Sequence, residues 1–348
     1  MRILLALFLG TSFFAFSMTG GDRFIAQKAE WMIMLGGPLL IVALARAFRD
    51  AKLREWACSV IILASALTGV YALIQAAGWD PLFCVRLAGT QTCADGSLQG
   101  GKFAAGAFLG NPGYVGLALV PGLMLAFLPF NWLYLPGGIV IVFGLLVSQG
   151  RLAILTGLIL CVFGFLDAWS TKARPHLVLF VLAVPLGLIS FQWPSSTMRT
   201  LDTWGSGRML AAMVAVKQLT ENPWLGNGGR FVANYAATRD AVLDDLGRES
   251  FRAPASSQQW EAAHNDYLQA MAEWGLLRAL PLILLVGWIG ARSKAETGIF
   301  LAWLSILFMA HFHYPFHLPT TQALFIVLTA LMFGDTMLKG IDSPRANV

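Results

Sequence analysis

Long apolar runs, separated by short polar segments, make up most of this chain. Each run has about 16–22 residues, which suits an α-helix crossing a hydrocarbon layer roughly 30 Å thick. We therefore predict an all-α integral membrane protein with about ten transmembrane helices. Their predicted positions are residues 3–18, 31–48, 56–77, 104–128, 133–149, 152–167, 177–193, 276–290, 297–314 and 319–338.

Composition supports this fold class. Only 12% of the 348 residues are charged and 57% are hydrophobic, whereas a soluble domain carries about 25% charged residues. The formal net charge of +5 suits anionic lipids or a phosphate-bearing substrate, although basic loops that orient a membrane protein explain it equally well. The first apolar run also resembles a signal peptide, but no small-residue cleavage site follows it, so we count it as a span.

One long polar insert divides the chain into three predicted parts. Residues 1–193 form an N-terminal bundle of seven spans, residues 194–275 a largely helical loop domain, and residues 276–348 three spans with a short tail. Within the insert, we predict a helix from Ser206 to about Leu219 and a second helix from about Ser257 to Trp274. The mixed charges of residues 238–257 suggest a mobile, solvated loop between them.

Basic residues in short loops predict the orientation, because such loops stay in the cytoplasm. With ten spans, the basic loops and the basic tail all fall on one side, so both termini are predicted to be cytoplasmic and the insert periplasmic. The residues concerned are Arg46, Arg49, Lys52, Arg54, Lys172, Arg174, Arg292, Lys294, Lys339 and Arg345.

Two cysteines, Cys84 and Cys93, lie in the predicted outward loop between the third and fourth spans. In an oxidising compartment they can close a small loop as a disulfide, or they can remain free thiols. Cys58 and Cys161 lie inside spans, where a cysteine acts as an apolar filler.

Three arginines are candidates for binding an anion. Arg151 interrupts an apolar run that is too long for one span, so it lies in a predicted tight turn, where it either meets an anion or extends to the lipid headgroups. Arg208 begins the first helix of the insert, where backbone N–H groups and a guanidinium favour phosphate. Arg230 follows a glycine-rich turn.

His264 is the candidate base of the insert. It shares helical spacing with four apolar or aromatic residues, which indicates either an interfacial helix with a polar tip or a reactive group at the bilayer surface. Those four residues are Trp260, Tyr267, Met271 and Trp274. Glu261 and Asn265 are candidates for orienting the imidazole or contacting substrate.

A further histidine cluster comprises His311, His313 and His317, near the start of the last span. Zinc is not expected there, because no acidic or cysteine ligand stands beside the three residues and their spacings do not fit one helical face. His313 is instead a candidate for contact with a sugar or pyrophosphate.

Six sequence segments, in this order, resemble the O-antigen ligase and polymerase superfamily of bacterial inner membranes. The resemblance covers about residues 100–335 and depends on the order of the segments together with the position of the long loop. The segments are Gly110-Asn111-Pro112, Ser148-Gln149-Gly150-Arg151, Gly207-Arg208, Asn222-Pro223-Trp224-Leu225-Gly226-Asn227-Gly228, His264-Asn265-Asp266-Tyr267-Leu268-Gln269 with Glu273-Trp274-Gly275-Leu276, and Tyr314-Pro315-Phe316-His317-Leu318-Pro319.

The resemblance implies a fold similar to polytopic C-type glycosyltransferases, in the bacterial inner membrane with the active site facing the periplasm. Its implied activity is metal-independent, inverting transfer of a glycan from a polyprenyl-pyrophosphate carrier to an acceptor hydroxyl, with no cofactor. By resemblance, Arg151 and Arg208, with Arg230 as a weaker match, bind the pyrophosphate, and His264 is the base. Membrane lipids are expected partners; nucleic acid is not.

The acceptor remains open between lipid A-core, as in O-antigen ligase, a growing glycan, as in O-antigen polymerase, and a protein such as a pilin. Family members often carry a second histidine just before the position of His264, where this chain has Ala262 and Ala263. This difference concerns the acceptor subsite. From another functional class, a transporter of a lipid-linked or anionic solute also fits ten spans, although no internal repeat supports it.

Overall fold

A computed structural model describes the chain in residues 36–77, 107, 112–127, 132–148, 150–169, 208–228, 231–246, 262–293, 295–313 and 315–334. Within these ranges all regular secondary structure is helical, which confirms the predicted all-α class for them. The chain divides into two compact units. The first, the apolar unit, comprises residues 37–174, 292–309 and 315–348, and the second, the insert unit, comprises residues 1–36, 175–291 and 310–314.

Within the described ranges, seven α-helices lie in the apolar unit and four in the insert unit. Some of these helices extend by a single residue across a unit boundary. In the apolar unit they are α1 Gly36–Ala47, α2 Ala51–Ala76, α3 Pro112–Phe127, α4 Leu135–Ser148, α5 Arg151–Trp169, α10 Thr297–Met309 and α11 Pro319–Gly334. In the insert unit they are α6 Arg208–Glu221, α7 Phe231–Leu246, α8 Asp266–Trp274 and α9 Leu276–Arg292. Short 3-10 turns span Trp132–Tyr134 and Pro315–His317.

Helix α2 has 26 residues and a mean hydropathy of 2.2, so it is long and apolar enough to cross a bilayer. Six further helices, α1, α3, α4, α5, α10 and α11, are apolar but have apolar segments of only 10–17 residues. Eight of the predicted spans therefore coincide with helices, while those at 3–18 and 177–193 lie outside the described residues. The number of membrane crossings stays a prediction.

Helix α10 is the centre of the apolar unit. Its residues from Gly298 to Met309 are all buried, and it packs against α3, α5 and α11. Inside this core, the Trp303 indole N–H donates to the Thr329 hydroxyl at 3.0 Å. Helices α2 and α4 approach closely at Gly69 and Gly144, where a Cβ on the latter would lie 2.6 Å from the facing Cα. Small residues thus allow the close helix packing that is common in membrane proteins.

The core of the insert unit is formed by α6, α7 and α8. Helix α6 turns one apolar face inward, as its sequence spacing predicts: Met213 is buried, and Met209, Val216 and Leu219 are partly buried against the same core. The largest fully buried side chains there include Phe231 and Tyr235 of α7, whose rings lie 5.5 Å apart. The insert therefore has a hydrophobic core of its own.

The predicted mobile loop at residues 238–257 is wrong for residues 238–246, which belong to α7. Tyr235, Thr238 and Val242 recur at helical spacing and are buried, so they give the segment an inward face that its charges obscured. On the exposed side, Lys217 of α6 donates to Asp245 at 2.9 Å, which links the two helices. Residues 247–257 lie outside the described residues, so the predicted loop there stays a prediction.

A backbone joint connects the turn after α6 to the junction of α8 and α9. Main-chain N–H groups of Asn227 and Gly228 donate to the carbonyls of Ala272 and Glu273 at 2.9 and 3.0 Å. In the other direction, the N–H groups of residues 276 and 277 donate to the carbonyls of residues 223 and 224 at 2.8 and 3.3 Å. Gly226 and Gly275 both have positive φ, 67° and 70°, and their backbones lie face to face.

Gly275→Ala is expected to destabilise the protein by about 3 kcal/mol or more, because the left-handed conformation disfavours a Cβ and there is no room for one. The added Cβ would clash with the Trp224 carbonyl oxygen, a backbone atom that cannot move aside. Thermal unfolding in detergent measures the effect. Gly157→Ala in α5 is the control, since its Cβ meets only the Leu123 side chain at 3.5 Å. An unchanged unfolding temperature for Gly275→Ala would show that the joint is not rigid.

Candidate functional site

His264 lies just before α8 in a left-handed backbone conformation, with φ of 53°. In the described part of the chain, only one other non-glycine residue, Ala107, has positive φ. Such conformations cost energy in L-residues and occur mainly at turns and functional sites. The fold therefore holds this histidine in a conformation that the isolated chain would seldom adopt.

This conformation corrects the predicted helix from Ser257 to Trp274, which does not include residues 262–265. Helix α8 begins at Asp266, and Asn265 caps it by accepting the Leu268 N–H at 3.0 Å. His264 consequently does not share a helical face with Tyr267. Asn265 has a structural role as the cap; its predicted contact with imidazole or substrate stays a prediction.

The segment that carries His264 is fixed to the chain that follows α10. Helix α10 ends at Met309, earlier than the predicted span at 297–314, so residues 310–313 lie beyond it. The Asp266 N–H donates to the Ala310 carbonyl at 2.8 Å. One residue further along each segment, the rings of Tyr267 and His311 lie 4.3 Å apart. These contacts bring His264 and His313 into one region of the insert unit.

His264, His313 and Arg208 are close enough to influence one another electrostatically. Burial, then the positive charge of Arg208 and then His313, lower the pKa of His264 to about 3. Burial and then Arg208 lower the pKa of His313 to about 4. Both imidazoles are therefore neutral at neutral pH, and an imidazole in this state can accept a proton.

Arg208 is the first residue of α6, a helix of 14 residues. Its side chain keeps water-exposed surface, yet the protein around it lowers the pKa of the guanidinium by desolvation. An arginine remains charged despite such a shift. Among the described residues it forms no ion pair, and the helix N-terminus adds a partial positive charge. This position suits a phosphate group.

The other predicted site residues lie in the apolar unit or outside the described residues. Arg151 begins α5 in the apolar unit, exposed, after the turn that the sequence predicted between Ser148 and α5. Arg230 and Glu261 lie outside the described residues, as do Cys84 and Cys93. Their predicted roles stay predictions. Cys58 and Cys161 are free, partly buried thiols in α2 and α5.

No group of three or more His, Cys, Asp or Glu side chains is arranged to hold a metal ion in the ranges that the structure describes. His311 and His313 belong to the insert unit, whereas His317 belongs to the apolar unit. The predicted histidine cluster is thus divided between the two units.

Two polar residues near His264 received no role from the sequence, Gln269 and Glu273. Both are buried on α8 and hydrogen-bonded to each other. Their spacing contains a signal: residues 265, 269 and 273 are polar at intervals of four, which places them on one side of a helix. On a helix with apolar neighbours, such a stripe indicates a buried hydrogen-bond network.

Comparison with known proteins gives one family. A family model described as O-antigen ligase matches residues 136–283, less than half of the chain, from α4 to α9. The matched range contains Arg151, Arg208 and His264 but not His313. No curated protein and no solved structure matches the chain. The resemblance that the sequence motifs carry is confirmed, and residues 136–283 are similar to the O-antigen ligase family.

Proposed function

We propose that this protein is a multi-pass inner-membrane glycosyltransferase that moves a glycan from a polyprenyl-pyrophosphate carrier to an acceptor hydroxyl at the periplasmic face. The observation that carries the proposal is the neutral, half-buried His264 beside the charge of Arg208, inside the segment that matches the O-antigen ligase family. A base next to an anion-binding cation is what attack by a hydroxyl on a pyrophosphate-linked sugar requires.

His264 acts as the general base. It removes the proton of the acceptor hydroxyl while the hydroxyl oxygen forms a bond to the anomeric carbon. Because the oxygen attacks from the side opposite the leaving group, the configuration at this carbon inverts. The proton stays on the imidazole until solvent or the departing product removes it, which returns His264 to its neutral form.

Arg208 stabilises the leaving group. As the bond between the anomeric carbon and the pyrophosphate oxygen breaks, its electron pair remains on that oxygen and negative charge grows there. A guanidinium that already faces the phosphate stabilises this charge without a metal ion. The family resemblance assigns the same role to Arg151 and Arg230, while His313, beside Arg208, is proposed to contact the donor.

Donor binding also raises the pKa of the base, His264. In the free protein the pKa of His264 is about 3, too low for an efficient base near neutral pH. A bound pyrophosphate offsets the charge of Arg208 and adds negative charge of its own, both of which favour the protonated imidazole. The pKa of His264 therefore rises when donor binds, so the residue becomes a stronger base only when substrate is present.

This coupling predicts a difference between two pH profiles. The value of kcat/KM for the donor, which reports the free enzyme, is expected to stay level from about pH 8 to about pH 5, since His264 is neutral throughout. The value of kcat reports the enzyme–donor complex. As the pH is lowered, kcat is expected to begin falling at a higher pH than kcat/KM, because the imidazole of His264 in the complex becomes protonated there. Steady-state kinetics over this range, with folding checked at each pH, measure both. An acid limb in kcat/KM near pH 6.5, the ordinary pKa of histidine, would contradict the proposal.

The function itself is tested with purified protein in nanodiscs and a polyprenyl-pyrophosphate glycan. Lipid A-core is supplied in one arm, a pilin-type acceptor in a second, and no acceptor in a third, with products read by mass spectrometry and a chelator added in parallel. Glycan on lipid A-core identifies a ligase, and lengthened glycan without added acceptor a polymerase. Intact donor in every arm, across a panel of glycans and with a verified fold, would overturn the enzyme proposal; movement of donor between leaflets would then indicate a transporter.

A further inference from the structure

A chain of buried hydrogen bonds runs along α8 towards His264. The Glu273 carboxylate accepts the side-chain N–H of Gln269 at 3.0 Å and the main-chain N–H of Phe231 at 3.3 Å. The other end of Gln269, its carbonyl oxygen, accepts the main-chain N–H of Ala263 at 2.9 Å. Because Ala263 directly precedes His264, this chain of bonds fixes the backbone on the N-terminal side of the histidine.

The C-terminal side of His264 is fixed separately. Asn265 caps α8, and the Asp266 N–H donates to the Ala310 carbonyl. His264 is therefore held between two anchored neighbours while its own φ is 53°. Without the bond from Ala263, one of these anchors is lost and the segment can relax towards an extended or helical conformation.

Together, the two side chains supply an acceptor for each of two main-chain donors. The Ala263 and Phe231 N–H groups can only donate, so each must meet an oxygen. Gln269 supplies an oxygen at one end and an N–H at the other, and Glu273 supplies oxygens only. Ala263, Gln269 and Glu273 are all buried, where an N–H left without an acceptor is strongly unfavourable.

We infer that Gln269 and Glu273 are positioning residues for the transfer reaction, which hold His264 in its left-handed conformation through Ala263 and connect it to the start of α7 at Phe231. The inference rests on the proposed function for its catalytic part. Neither residue touches the reacting atoms; both act through the backbone of the base. Phe231 directly follows Arg230 in the chain, so the same bonds reach the residue next to a second predicted pyrophosphate ligand.

The decisive variants exchange the two side chains. Gln269→Glu alone removes the donor to Glu273 and sets two carboxylates side by side. Combining it with Glu273→Gln reverses the pair. The carboxylate at position 269 then accepts from Ala263 and from the new amide at position 273, and the oxygen of that amide accepts from Phe231. Since glutamine and glutamate have nearly the same volume, the single and double variants differ in hydrogen bonding and charge, and hardly in packing.

Two readouts are needed. Hydrogen exchange of segments 262–268 and 231–235, followed by mass spectrometry, reports the bonds themselves and requires no activity. Steady-state transfer reports their effect on the base. Gln269→Glu and Glu273→Ala are expected to speed exchange in both segments and to lower kcat about 10- to 100-fold, with KM for the donor changing far less. The double variant is expected to restore slow exchange and most of kcat.

Thr329→Val is the matched control. This substitution removes the buried hydrogen bond that Trp303 donates to Thr329 in the apolar unit. It can therefore lower stability without changing a contact of the His264 segment. It is expected to leave kcat and exchange in both segments unchanged.

Unchanged exchange in Gln269→Glu and Glu273→Ala would overturn the inference, because the bonds would then not hold the segment. Faster exchange with unchanged kcat would overturn its catalytic part, because the bonds would be only structural. If the wild-type protein transfers no glycan in any arm, the proposed function fails instead, and the exchange experiment still decides whether Gln269 and Glu273 fix the His264 segment.

Discussion

Replacing His264 with asparagine is expected to lower glycan transfer by about 10²- to 10⁴-fold while donor binding changes little, the loss typical for removal of a general base. Asparagine is the most informative replacement, because it tolerates the left-handed conformation that His264 adopts and cannot take up a proton at neutral pH. His264→Ala would combine the loss of the base with additional backbone strain.

The measurement compares kcat, donor affinity and unfolding temperature for the wild type and His264→Asn in nanodiscs. A fall in kcat with unchanged donor affinity and unfolding temperature supports the role of the base. Transfer at the wild-type rate would exclude His264 as the base, and loss of folded protein would be visible in the unfolding temperature. His313→Asn, beside the same arginine, serves as the comparison, because a residue that only contacts donor should affect KM more than kcat.

Arg208→Met is expected to lower kcat/KM for the donor by about 10²- to 10³-fold, since it removes the cation that we propose stabilises the leaving group. Arg208→Lys is expected to lie between this variant and the wild type, because lysine keeps the charge but loses the paired N–H groups that bind phosphate. Arg208→Met also removes one of the influences that depress the pKa of His264, so that pKa should rise in the free protein.

Arg239→Met is the control for Arg208→Met. It removes the same charge from the same unit, but from an arginine that pairs with Asp240 at 3.0 Å on α7. Donor titration and steady-state transfer with both variants separate a local effect from one of net charge. Equal losses of donor affinity and transfer in the two variants would mean that Arg208 contributes only to the overall electrostatic field of the protein.

The apolar pattern predicted eight of the described helices to within a few residues at most ends, because a hydrophobic run of this length has few alternatives to a helix. It was less successful in the insert. There, α7 was hidden because charged residues alternate with its inward face of Tyr235, Thr238 and Val242, and short-range polarity outweighed the helical spacing. The number of membrane crossings and the domain boundaries stay predictions.

The candidate site was predicted in part. His264, Arg208 and His313 were selected from their residue types and from the motif that resembles the family, and the structure brings these three together in the insert unit. The left-handed conformation of His264 was missed, although Asn265 before an apolar run is a recognisable cap. Contacts such as the Tyr267–His311 ring pair depend on residues far apart in sequence, which periodicity does not report.

The joint between residues 222–228 and the α8–α9 junction consists of main-chain hydrogen bonds, so it depends on spacing and not on side-chain identity. Trp224 is exposed, and its side chain can change without affecting these bonds, whereas insertion or deletion of a single residue shifts every donor away from its acceptor. The length of this turn is therefore more tightly constrained than its exposed side chains, whereas its glycines with positive φ and Asn227, which donates to the Gln218 side chain at 2.7 Å, remain fixed. A designer who redesigns this surface of the insert unit can change its exposed side chains but must keep the number of residues.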